Sequence, residues 1–267
     1  MVRKEKPRTV LSVAGSDPSG GAGVQMDLKC FAAAGVHGCS AITAITVQNT
    51  KGVRSVTALP ARLVAAQLEA IFDDVEISAM KTGMLHNAST VGVVVAKVAE
   101  LGTALIVDPV LAASRGAPLS KPDLLGALRE RLIPQAILVT PNIPEAERIA
   151  RMEIRGEDDM RSACREILAL GCKSVLLKGG HMNTKESNDL FYDGRFRVFK
   201  GPRLDRNVHG TGCMLSAFIT TFVGKGWPLR KSVETAKGIV TGIIRSSRPI
   251  GRGMYIGNPL GYSPDQS

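Results

Sequence analysis

The 267-residue sequence predicts an α/β protein with a largely parallel central sheet, helices on both faces and one small β-hairpin insertion. Three observations carry this. Strand-like apolar runs alternate with segments of helical periodicity along the chain. The strands are near-continuously apolar, as strands buried on both faces must be. Polar and glycine-rich residues gather just past the strand ends, where open parallel sheets bind ligands.

Taken in order, Val10-Leu11-Ser12-Val13 reads as a strand leading to a helix over about 24–34. The β-branched run 41–47 precedes a helix over 61–72, and 77–81 leads to one near 90–100. Ala104-Leu105-Ile106-Val107 precedes a helix over about 122–131. Ala136-Ile137-Leu138-Val139 is followed by short helical periodicity over 144–150 and a helix over 158–170, and then by Val175-Leu176-Leu177. Leu190-Phe191-Tyr192 and Phe196-Arg197-Val198-Phe199 flank Asp193-Gly194, a hairpin signature. Apolar residues 214, 215, 218, 219, 222 and 223 recur at helical spacing, so a buried helix starts at about Gly210. Trp227-Pro228 opens a last helix to about Ile244, and the chain from about 250 reads as an irregular tail. With no internal repeat or linker, residues 1–267 are expected to form a single domain.

Composition narrows the function. Hydrophobic residues make up 44% of the chain, enough for a core, but no apolar run approaches the ~20 residues that span a bilayer. The charged N-terminus runs straight into a strand and does not read as a secretory signal. Five cysteines, an odd set without a Cys-x-x-Cys pair, fit a reducing cytoplasm. The net charge of +10 is dispersed and aromatics are only 4%, which argues against nucleic-acid binding. A positive field equally suits an anionic small-molecule substrate.

The sharpest local signal is Val208-His209-Gly210-Thr211-Gly212-Cys213. Glycines at a helix start leave bare N–H groups beside the positive end of the dipole, a cradle for phosphate. The same field is expected to favour a thiolate on Cys213. A plain tight turn with a core cysteine is the competing reading. A Cys/His hydrolase would need its histidine far from the cysteine in sequence, and a zinc site would need more ligands. Other polar groups would face the same crevice: Gly15 and Asp17, Gln48, Lys81 and Met84, Asp108, Asn142, and Lys178-Gly179.

Taken together, these motifs resemble the ribokinase superfamily of sugar and vitamin kinases. Within it they resemble the hydroxymethylpyrimidine/phosphomethylpyrimidine kinases of thiamine biosynthesis. The resemblance is carried by Ala14-Gly15-Ser16-Asp17-Pro18-Ser19-Gly20-Gly21-Ala22-Gly23 and by Gly38-Cys39-Ser40 through Val47-Gln48-Asn49-Thr50. Lys81-Thr82-Gly83-Met84-Leu85, Asp108-Pro109-Val110, Thr140-Pro141-Asn142 to Glu145-Ala146, Leu177-Lys178-Gly179-Gly180-His181 and His209 to Cys213 complete it. The matches run in order from residue 10 to about 220.

The resemblance implies a ribokinase-like fold, a homodimer, ATP and Mg²⁺ as cofactors and a small pyrimidine as substrate. Cys213 would be the base, and Gly210, Thr211 and Gly212 the anion cradle. Asn142, Lys178 and Gly179 would serve ATP, and Asp108 and Glu145 the magnesium, commonly through water. Gln48 would grip the aminopyrimidine, with Met84 and Val110 as apolar walls and Gly15 and Asp17 nearby. On spacing alone Met84 and Val110 read as core, Asp17 as a turn former and Gln48 as a strand-end polar residue. His209 reads either as catalytic or as a loop-bonding group, while Lys81 and His181 stay unassigned, with a surface role favoured.

Alternatives remain. No Gly-Lys-Ser/Thr ends a glycine-rich run, so the loop is not a Walker motif, and Gly20-Gly21-Ala22-Gly23 lacks the dinucleotide spacing. A pyridoxal or pyridoxine kinase is the enzymatic rival. The cysteine that some dual-activity relatives carry after Asp-Pro-Val is missing from Leu111-Ala112-Ala113-Ser114-Arg115-Gly116. A non-catalytic ligand sensor on the same fold would be expected to have lost the base, the Asn-x-x-Glu pair or the lysine.

Overall fold

A computed structural model describes residues 8–112, 119–181 and 186–261; residues 113–116 of the cysteine-free segment, the last six residues and the His181 side chain lie outside this description. Nine strands form the main sheet: β1 (Thr9–Ser16), β2 (His37–Asn49), β3 (Gly52–Ala58), β4 (Ala79–Thr82), β5 (Ala104–Val107), β6 (Leu138–Val139), β7 (Val175–Leu177), β8 (Asp189–Tyr192) and β9 (Phe196–Phe199). Their order is β3-β2-β1-β4-β5-β6-β7-β8-β9. The block from β2 through β7 is parallel, and β3, β8 and β9 extend it as antiparallel edges.

Side chains on successive residues of a strand point to opposite faces, and this partitions the core. Leu11, Val13, Met80, Leu105, Val107 and Val139 join one cluster with helices α2 (Ala61–Phe72), α3 (Ala88–Leu101), α5 (Ile143–Ala150) and α6 (Glu157–Ala169). Val10, Ala79, Ile106, Leu138 and Leu176 join the other, with α1 (Gly23–Ala33), α7 (Thr211–Gly224) and α8 (Leu229–Ser246). Helix α7 is buried nearly all round, as its apolar sequence requires. Helix ends follow local chemistry: the Asn87 side chain accepts from Thr90 N–H at 2.9 Å to start α3, and left-handed Gly102 ends it. Glu157, Asp158 and Asp159 occupy the first turn of α6, facing the positive end of its dipole.

The expected alternation is therefore present, and the expected hairpin forms as β8 and β9, which continue the main sheet beyond β7; three details differ. Strand β3 has no clean two-residue period because Arg54 is an extra residue opposite the junction of Val47 and Gln48, which places Val53 and Val56 on one face. The helix expected over 122–131 shrinks to α4 (Leu124–Ala127), followed by a π turn (Leu128–Leu132) and a 3-10 turn containing Pro134. The tail is also partly ordered: β11 (Tyr255–Ile256) pairs in parallel with β10 (Val208–His209).

Candidate active site

Strand order reverses between β1 and β4, and the loops that follow them open a crevice at this point. Gly15 stands at the end of β1, where a Cβ would come within 2.2 Å of Met84 Cε and force that side-chain end to shift. The Thr43 hydroxyl donates to the Met84 carbonyl at 2.5 Å and ties the loop after β4 to β2. Ala44, Met84 and Leu119 form a small apolar cluster with Val53, Val56 and Val110 beneath the β2–β3 ribbon. Gln48 of β2 sits opposite the bulge of β3 and projects into this pocket. Its amide nitrogen Nε2 meets His209 Nε2 at 2.8 Å.

Asp17 is buried and accepts from Ser19 N–H (2.9 Å), Ser19 Oγ (2.7 Å) and Ala22 N–H (2.8 Å); His209 Nε2 lies 3.0 Å from its Oδ2. Against the burial that would raise it, His209 and Ser19 hold this carboxyl below its ordinary range. Asp17 therefore builds the loop and engages the imidazole.

At the opposite end of the crevice, Lys178 Nζ donates to Asp108 Oδ1 at 3.0 Å and lies 3.9 Å from Glu145 Oε2. Thr140 Oγ1 also donates to Asp108, at 3.1 Å. Against burial, Lys178 and Lys81 hold Asp108 below its usual value. Burial pushes the Glu145 carboxyl up to about 7, against the pull of Lys178 and with help from the Asp108 charge. Asn142 and Glu145 form a reciprocal capping box on α5: Asn142 Oδ1 accepts from Glu145 N–H at 2.9 Å, and Glu145 Oε2 from Asn142 N–H at 2.8 Å. Two carboxyl groups lining the same cleft suit magnesium held mainly through water and phosphate oxygens. Among the described residues no group of three or more His, Cys, Asp or Glu forms a closed metal cage.

Between the two ends stands the start of α7. Gly210 adopts φ 77°, and a Cβ there would lie 1.9 Å from the Gly21 carbonyl oxygen, so the cradle depends on two glycine-rich loops in contact. A Cβ on Gly212 would lie 3.1 Å from Lys178 Nζ, which puts the ammonium at the helix entrance. Cys213 occupies the first turn. Here the expected thiolate is corrected: burial pushes the Cys213 thiol up to about 12, although Lys81 and the Gly23 amide pull it down. Loss of water outweighs the favourable field, and Cys213 rests as a thiol.

Lys81 is also corrected, from surface to core. It is fully buried, and its Nζ donates at 2.8 Å to Asp27 Oδ1, whose Oδ2 accepts from Ser12 Oγ at 2.6 Å. Against the burial that would strip its proton, Asp27 and Asp108 hold Lys81 above its ordinary value.

Most of these groups line one cleft of 740 Å³, from which the buried Asp27–Lys81 pair is excluded. It brings together Gly15, Asp17, Gln48, Met84, Asp108, Val110, Asn142, Glu145, Lys178 and the stretch from Gly210 to Cys213. Gly179 stands behind the wall: its N–H donates to Asp189 Oδ1 at 3.0 Å, and a Cβ would meet the Asn188 carbonyl oxygen at 1.8 Å. Asp189 is held in turn by Lys237 at 2.6 Å. Sequence reasoning missed Asp27, Asp189 and Lys237, whose partners lie 54, 10 and 48 residues away.

A family model described as phosphomethylpyrimidine kinase matches residues 17–258. The thiamine biosynthesis bifunctional protein ThiED of Geobacter sulfurreducens is 46% identical over 248 residues, 92% of this chain and 51% of that protein; the chain thus spans about half of that relative. The hydroxymethylpyrimidine/phosphomethylpyrimidine kinase of Rhizobium meliloti is 43% identical over 240 residues, 89% of this chain and 90% of its own length. Among solved structures, pyridoxal kinase from Staphylococcus aureus in complex with AMP-PCP and pyridoxal superposes with a TM-score of 0.90 at 29% identity, covering 97% of this chain and 96% of that one.

The buried ion pair yields a stability test. Lys81→Met strands the Asp27 carboxylate and is expected to cost about 3–5 kcal/mol in urea unfolding. The double variant Lys81→Met/Asp27→Leu should recover most of that loss. A single-variant loss below about 1 kcal/mol would show that Asp27 does not depend on Lys81.

Proposed function

The chain belongs to the phosphomethylpyrimidine kinase family, and we propose that it phosphorylates 4-amino-5-hydroxymethyl-2-methylpyrimidine and then its monophosphate, with ATP as donor, for thiamine biosynthesis. The observation that carries this reading is a single cleft that joins an apolar, amide-bearing pocket at Met84, Val110 and Gln48 to a charged end at Lys178, Asp108 and Glu145. A flat heterocycle with one polar edge suits the first, and a nucleotide polyphosphate suits the second.

In the first step the pyrimidine CH2–O–P bond forms as the bond from the γ-phosphorus to the bridging oxygen of ATP breaks, with ADP leaving. The first-turn N–H groups of α7 and the mobile charge of Lys178 stabilise the transferring group, whose charge is spread over three oxygens. Asp108 and Glu145 would hold magnesium, which neutralises phosphate charge when bound. The hydroxyl proton passes to Cys213, which accepts it only as the thiolate. In the second step an oxygen of the monophosphate is the acceptor.

Several features support the wider reading. Family resemblance and an apolar outer face of β2, where Ile45 and Val47 are 42% and 53% exposed beside the edge strand β3, support a homodimer. All five cysteines are free, which suits a reducing cytoplasm. No helix among the described residues is long and apolar enough to cross a membrane. Pyridoxal phosphorylation is the second reading, favoured by the likeness to a pyridoxal kinase with pyridoxal bound. A ligand sensor is disfavoured because Cys213, Glu145 and Lys178 all line the cleft.

Mass spectrometry of reactions with ATP tests the assignment. Hydroxymethylpyrimidine should give the monophosphate and then the diphosphate; pyridoxal phosphate formed without any pyrimidine diphosphate would transfer the assignment to the second reading. Cys213→Ser should lower kcat by ~10²–10⁴-fold at unchanged fold. In the parent enzyme the raised thiol sets the sign of the pH response: the thiolate fraction grows about tenfold per pH unit below its pKa. Turnover should therefore climb from pH 6 to 9 without a plateau near neutrality, and iodoacetamide should alkylate Cys213 slowly at pH 7. A plateau by pH 7, together with near-parent turnover in Cys213→Ser, would remove Cys213 as the base.

A further inference from the structure

Two contacts converge on one nitrogen of His209. Its Nε2 lies 3.0 Å from Asp17 Oδ2 and 2.8 Å from the Gln48 amide nitrogen, Nε2. A ring nitrogen carries either a proton or a lone pair, so one of the three groups must decide which. Asp17 does. Its carboxylate already accepts from Ser19 N–H, Ser19 Oγ and Ala22 N–H and offers no proton of its own. Nε2 must then carry the proton. The two ends of a side-chain amide have nearly the same shape, and proton complementarity decides which faces the ring. Facing an N–H, that end must be the Gln48 carbonyl oxygen, so the amide takes the sense opposite to the one that sets its Nε2 against the ring.

The imidazole has little room to turn. His209 is buried on β10 and paired with Ile256, and a Cβ on Gly21 would lie 2.6 Å from its Cδ2. Gln48 is itself placed opposite the bulge in β3. We propose that Asp17 and His209 are positioning residues that fix the sense of the Gln48 amide, and so make the site specific for a 4-aminopyrimidine over its 4-oxo counterpart. The second lone pair of the carbonyl accepts from the exocyclic amine, and the amide NH2 donates to the adjacent ring nitrogen. A 4-oxo ring presents the opposite order, a carbonyl beside a ring N–H. To bind it, the amide must turn over and set its NH2 against the imidazole N–H, donor against donor. The inference rests on the reading that Gln48 grips the pyrimidine, and it assigns the discriminating element to two residues that need not touch the ring.

The test compares kcat/KM for the aminopyrimidine and its 4-oxo analogue in the parent enzyme, His209→Ala, Asp17→Asn and Gln48→Leu. It is joined to long-range ¹H–¹⁵N correlation spectra of the ligand-free, ¹⁵N-histidine-labelled parent. Expected are a protonated His209 Nε2 and a parent preference of at least ~10²-fold for the amine, since sites built on hydrogen bonds reject mismatched analogues strongly. That preference should fall about tenfold or more in His209→Ala and in Asp17→Asn, with KM for ATP within about twofold. An Nε2 without a proton, or an unaltered preference in folded His209→Ala, would overturn the proposal. If His209→Ala does not fold, the spectra and the Asp17→Asn ratio decide in the same way. Gln48→Leu separates the two levels: full discrimination in that variant would sink the pyrimidine reading of Gln48 itself, whereas its loss there with retention in both positioning variants would sink only the relay.

Discussion

Every group assigned a role here depends on the reversal of strand order between β1 and β4. Because β2 lies on one side of β1 and β4 on the other, the loops leaving β1 and β4 diverge and leave a crevice that no strand fills. The glycines close to it serve approach more than flexibility. Gly15 admits Met84, and Gly210 lets the start of α7 press on the Gly21 carbonyl. The helices on that face, α1 and α7, are locked to the sheet by apolar side chains and by an ion pair in which Asp27 of α1 meets Lys81 of β4. A buried pair of this kind is a poor source of net stability but penalises any arrangement that separates the partners.

The electrostatics of the crevice follow from the same geometry. Two lysines stand in or beneath it, each neutralised by carboxylates: Lys81 by Asp27, and Lys178 by Asp108 and Glu145. Neither is a free positive patch, which is why a net charge of +10 says little about the site. Cys213 stands within reach of both signs, and its burial decides the balance in favour of the thiol. A neutral residue there spares the resting enzyme a negative charge beside incoming phosphate. Phosphoryl transfer asks mainly for positioning and charge stabilisation, so a base needed only late in the step is compatible with this arrangement.

Much of this was legible in the sequence, for identifiable reasons. Periodicity located the helices because each buries one broad stripe, and α2 begins and ends where its pattern does. The residues past the strand ends were legible because parallel topology places them together. Strand β3 was hidden by its bulge, and the π turn after α4 by a helical pattern whose geometry Pro134 does not sustain. Lys81 was misread because a lysine in an apolar strand has no visible partner; Asp27 lies 54 residues earlier on a helix. The acidity of Cys213 was misjudged because the helix field is readable from the motif, whereas burial is a property of the packed structure. Gly179 belongs to a legible motif, yet its amide is engaged by Asp189 across a turn that the motif does not contain.

The central claim is that one crevice holds two recognition surfaces that meet at the start of α7: an amide-and-apolar one around Gln48 and a charged one around Lys178. Calorimetric titration of Gln48→Leu and Lys178→Met with hydroxymethylpyrimidine and with AMP-PCP tests it most directly. Each variant should lose about tenfold or more in affinity for its own ligand and stay within about twofold for the other, since neither substitution touches the second surface. Equal losses of both ligands in both folded variants would contradict the division and make the crevice a single, indivisible site.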